Sequence, residues 1–64
     1  MKPPFETGTR VRHLGTLYSG YAQPVEGEVV GWNPASGHVS VLWDFYPPWP
    51  MLEYPREIEA IDPP

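Results

Sequence analysis

Cysteine is absent from the 64 residues, which removes disulfides and thiolate metal sites together. Histidine is scarce: His13 and His38 alone are too few for a zinc site without carboxylate help, and no metal is expected. Cations are few as well. Four Lys and Arg stand against eight Asp and Glu, a formal charge of −4. A nucleic-acid backbone binder normally carries a basic face, so nucleic acid is an unlikely partner. No apolar run is long enough to span a bilayer, and the opening MKPPFETG lacks the apolar stretch of a secretory signal. The expected compartment is the cytoplasm, with no membrane partner. Helical periodicity, internal repeats and low-complexity stretches are missing too.

What is present points to a small folded domain. A chain of this length buries only about 60% of the surface its unfolded form exposes, so a compact core or self-association must make up the deficit. A hydrophobic share of 41% and nine aromatics rule out a disordered acidic tail. Ten prolines lower the entropy of the unfolded chain.

Residues 1–7 read as a flexible tail, since Pro3 and Pro4 forbid a helical start. Thr9 to Leu14 alternates, with Thr9, Val11 and His13 on one face, although Val11 is its one plain core residue. Gly15 to Pro24 reads as a long loop carrying Tyr18 and Tyr21. Val25 to Trp32 is a second strand, in which simple alternation places Gly27 and Gly31 on the face of Val25 and Val29. Asn33-Pro34-Ala35-Ser36-Gly37 is a hairpin turn: proline presets one torsion and glycine supplies a positive one. His38 to Trp43 is the clearest strand, with Val39, Val41 and Trp43 on one face. The proline-rich DFYPPWP that follows cannot be a central strand. Met51 to Tyr54 is a short fourth strand, and Glu57 to Ile61 closes with a turn or a fifth. The expected fold is all-β, a small SH3-like barrel of four to five short strands with a long first loop. The barrel spans residues 8–61, and residues 62–64 form a second tail.

No catalytic set emerges from these residues. Ser19, Ser36 and Ser40 lack a nucleophile elbow, and His38, Ser40 and Asp44 read as ordinary strand side chains. No glycine loop is placed to cradle a phosphate. Glu26, Glu28, Glu53, Glu57 and Glu59 read as alternate-strand or surface charges, and Arg10, Arg12 and His13 as a solvated face. The aromatics are more informative. Trp32 and Trp43 are expected in the core or an interface. Tyr18, Tyr21, Tyr46, Trp49 and Tyr54 are the candidate binding residues, able to flank one groove for a peptide.

The run Gly8-Thr9-Arg10-Val11-Arg12, then Val29-Val30-Gly31-Trp32, then Tyr54-Pro55 with Ile58-Glu59-Ala60-Ile61, resembles the plasmid-borne type II dihydrofolate reductases. Similar small barrels also serve as accessory subunits of electron-transport complexes. The resemblance implies an SH3-like barrel, a homotetramer and a central pore holding dihydrofolate beside NADPH. The family's pore lysine falls on His13, and its Val-Gln-Ile-Tyr segment on Met51, Leu52, Glu53 and Tyr54, of which only the tyrosine is kept. Leu52 cannot supply the amide hydrogen bonds of the glutamine, and Glu53 would bring four carboxylates to an anionic cofactor. The expected role is therefore a non-catalytic module that binds a protein or peptide or a second copy of itself, with no cofactor. The enzyme alternative is an NADPH-dependent reductase working in a homotetramer pore, and a nucleic-acid-associated barrel is the third.

Overall fold

A computed structural model describes residues 3–15 and 25–61. Five strands carry them: β1 (Arg10–His13), β2 (Glu26–Asn33), β3 (His38–Trp43), β4 (Met51–Glu53) and β5 (Ile58–Ala60). They form one antiparallel sheet in the order β4-β3-β2-β1-β5. A single 3-10 turn, Pro55–Glu57, leads into β5, with proline at a position where no N–H is needed. The chain is all-β, and its ladder stops at β4 and at β5, with no pairing between those two strands among the described residues.

Period-two alternation decides the inner face. Val11, Val25, Val29, Val39, Val41, Trp43 and Ile58 form one buried cluster, and Phe5, Trp32, Phe45 and Met51 pack against it. Phe5 thus lies on the core although it falls in the stretch read as a tail. Each of these buried aliphatic side chains contributes about 1.5–3 kcal/mol relative to exposure.

The two β2 glycines have different jobs. Gly27 lies opposite Trp43, and a Cβ there would come within 2.6 Å of the Leu42 carbonyl oxygen and 2.9 Å of Trp43 Cα. Only glycine lets the indole lie that close to the strand. Gly31 does not share that face, contrary to simple alternation. The register with β3 shifts between Val29 and Gly31, so Val30 is an extra residue. Gly31 thereby pairs with Ser40 on the outer face, and Trp32 pairs with Val39 and turns inward.

The β2–β3 turn forms as the residues predict. Gly37 adopts φ +74° and its N–H donates to the Asn33 carbonyl at 2.8 Å. The Asn33 side-chain oxygen accepts from Ala35 N–H at 3.0 Å, the local bond that suits asparagine to this place. No helix among the described residues is long and apolar enough to cross a membrane.

Candidate functional site

Two groups of side chains stand out, one on each face of the sheet. The inner group begins with His13 and Glu53, respectively 6% and 3% exposed. Both lie on core-facing positions, His13 opposite Ile58 and Glu53 opposite Val39. Burying a carboxylate is costly unless donors surround it. Trp43 Nε1–H donates to Glu53 Oε2 at 2.9 Å, and His13 Nε2 stands 3.6 Å from Oε1. The His13 and Trp43 rings meet edge to face at 6.0 Å. Glu53 is thus a core residue, not the surface charge that the sequence suggests. The Trp43 indole N–H is the donor that makes its burial tolerable.

His13, Glu53 and the half-buried Glu57 bring one ligating atom each to within 4.8 Å of one another. The composition suits zinc, but the imidazole is turned the wrong way. Gly15 N–H donates to His13 Nδ1 at 3.0 Å, so Nδ1 spends its lone pair on the backbone. A neutral ring then carries its proton on Nε2, the atom that faces Glu53. A ligating histidine does the reverse, donating from one nitrogen and offering the lone pair of the other. The same geometry disqualifies His13 as a general base, because neither nitrogen is left for a substrate. The cluster ties the end of β1 to β3 and β4, and Leu14 N–H adds a bond to the Glu57 carbonyl at 2.8 Å.

The outer face is divided. Over β1, β2 and β5 it is charged, and both of its arginines are paired with carboxylates. Arg10 forks onto both oxygens of Asp44, at 3.1 and 2.5 Å, and stands 3.7 Å from Glu26. That hydrogen bonding raises the Arg10 pKa and lowers that of Asp44, outweighing the opposing effect of partial burial. Arg12 pairs with Glu59. Arg10, Arg12 and His13 therefore form no basic spot: both arginines are matched and His13 is on the other side of the sheet. Asp44 is committed to Arg10 and makes no triad with His38 and Ser40.

Over β4, the turns beside it and Val30 of β2 the outer surface carries exposed apolar and aromatic side chains. Leu52 and Trp49 are 65% and 64% exposed, and Tyr46, Tyr54 and Val30 are exposed to a lesser degree. Tyr46 and Trp49 sit in the proline-rich β3–β4 connection, where Trp49 N–H reaches the Tyr46 carbonyl at 3.4 Å and the Pro47–Pro48 bond is cis. Tyr54 lies at the far end of β4, five residues from Trp49. Its ring has the imidazole of His38 at 4.5 Å and the Arg56 guanidinium at 4.6 Å.

Of the five candidate binding residues, Tyr46, Trp49 and Tyr54 are exposed but flank opposite ends of β4, and Tyr18 and Tyr21 lie outside the described residues. The four positions carried over from the reductase resemblance do not converge. His13 and Glu53 face the core, whereas Leu52 and Tyr54 face outward. His38 and Arg56, the ring partners of Tyr54, were not among the candidates. Compared with protein-family models, curated proteins and solved structures, the chain has no match.

Proposed function

We propose that the chain is a non-catalytic protein-interaction module with an SH3-like barrel scaffold, in which the sheet curls around the Val11–Trp43 cluster and the 3-10 turn leads into the last strand. The strand order and the one-sided apolar face support that architecture. Any likeness to the type II reductases lies in the scaffold. The reductase alternative gains no support from His13 and Glu53, which are buried, or from Leu52 and Tyr54, which face the other way. A nucleic-acid role gains none from Arg10 and Arg12, whose charges are met by carboxylates.

The observation that carries the reading is Trp49, a large aromatic held out at 64% exposure on a connection containing three prolines. Exposed tryptophans are common anchors of protein interfaces, and proline reduces the entropy lost when such a loop is captured. The partner is another protein or a second copy of the chain, and no cofactor is involved.

Photo-crosslinking tests this directly. A benzophenone amino acid placed at position 49, in cells that make the protein, should give one discrete adduct that the same probe at position 28 does not. An adduct of twice the chain mass would identify a second copy, and any other mass a different protein. Equal labelling from both positions, or none from position 49, would reject the reading.

A further inference from the structure

Arg56 differs from the other described arginines. Arg10 is held by Asp44, just past the end of β3, and stands near Glu26 of β2, and Arg12 is held by Glu59 of β5, whereas Arg56 forms no ion pair among the described residues of this acidic chain. Its guanidinium lies instead over the Tyr54 ring. Stacking of this kind fixes the plane of the guanidinium and leaves its edge N–H groups for a bidentate acceptor. Tyr54 is steadied in turn by the His38 ring, and its hydroxyl has no hydrogen bond among the described residues.

The surface beside this stack is built for an extended segment. Backbone torsions at Tyr54 remain extended (φ −81°, ψ 138°), so the alternation of β4 runs on and places Leu52 and Tyr54 on one face. At strand spacing they are about 7 Å apart. β4 pairs with β3 along one side, and among the described residues no strand pairs along its other side. Pro50 and Pro55 flank it, so the open edge is short and offers little template for self-aggregation.

The geometry points to a docking site along β4 for an acidic peptide segment of a partner, with an aspartate or glutamate against Arg56 and an apolar side chain on Leu52. Charge complementarity selects this occupant, because Arg56 has no carboxylate partner among the described residues and lies over Tyr54, whose face of β4 also carries the exposed Leu52. The segment would add as an edge strand, its main chain bonding to β4 and its alternate side chains meeting Leu52 and Arg56. The site rests on the protein-interaction reading and names the chemistry it recognises.

Two five-residue probes test it, acetyl-Ser-Ile-Thr-Glu-Ser-amide and the same peptide with glutamine for glutamate. In an NMR titration, the glutamate peptide should shift the Arg56 side-chain N–H and the backbone amides of residues 51–54 and 56. It should bind about two- to fivefold more tightly than the glutamine peptide at low salt, the range for an exposed charge pair. The preference should vanish in 0.5 M salt and in Arg56→Gln, an exposed change that leaves the fold intact, and Leu52→Ser should weaken both peptides. Equal binding of the two peptides, a preference that survives Arg56→Gln, or shifts confined to the Arg10–Arg12 face would overturn the site. So would the absence of shifts at millimolar peptide. A crosslink from position 49 that persists through any of these failures would leave the interaction reading standing and remove only the acidic-peptide site.

Discussion

Trp43 and Trp49 lie six residues apart and occupy opposite environments. Trp43 is fully buried, rests on Gly27 and gives its indole N–H to Glu53. Trp49 is 64% exposed on a proline-rich connection. The same side chain serves the fold in one place and is left over in the other. What separates them is backbone context. Trp43 ends a strand whose alternation aims it at the core, whereas the prolines around Trp49 remove the ladder that would aim it anywhere. Surface that a marginal 64-residue domain could have buried is instead displayed, which is the physical ground for proposing Trp49 as an interface residue.

The largest test of that contrast is a pair of truncations. Trp43→Ala should cost about 3–5 kcal/mol and leave no cooperative unfolding transition in a chain this small. Trp49→Ala should move stability by no more than about 0.5 kcal/mol in chemical denaturation. Comparable losses from both would erase the distinction. Next is Glu53→Leu, which strands the Trp43 N–H in the core; urea denaturation should show a loss of about 1–3 kcal/mol.

The glycines of β2 sharpen the comparison between faces. Gly27→Ala forces a methyl against the β3 backbone and should destabilise by about 1–3 kcal/mol. Gly31→Ala finds Ser40 Cβ at an ordinary 3.6 Å and should be neutral or slightly stabilising in thermal unfolding. A similar penalty at both would mean that Val30 is not an extra residue and that Gly31 faces inward.

The smallest effect belongs to the Arg10–Asp44 pair. Asp44 titrates below its ordinary value of 3.8 in the folded chain, chiefly through its hydrogen bond to Arg10. Its contribution is therefore complete above the unfolded-state value and is lost as pH falls through the folded one. Both side chains are substantially exposed, at 43% and 59%, so the pair is worth less than about 1 kcal/mol. Asp44→Asn should be slightly less stable than the parent at pH 6, and the gap should shrink as pH falls below 3.8. A gap that does not shrink with falling pH would place the effect in packing.

The strands were legible because Val39, Val41 and Trp43 alternate and Asn33 and Gly37 mark a turn with a mechanism. The β2 bulge was not, since Val29-Val30-Gly31-Trp32 is compatible with either phase, and only pairing with β3 decides which residue is extra. Glu53 was misplaced for a different reason. Its position in β4 points inward, yet a lone carboxylate is rarely buried, and the donor that makes burial tolerable comes from Trp43, ten residues away. Arg56 was missed because its significance is relational. It emerges only once the carboxylates facing Arg10 and Arg12 are known.

The division of labour between the two tryptophans is tested most directly by hydrogen exchange of the indole N–H groups at micromolar protein concentration. We expect the Trp43 N–H to exchange orders of magnitude more slowly than that of Trp49, which should match free indole. Protection of Trp49 comparable to that of Trp43, or rapid exchange at Trp43, would contradict it.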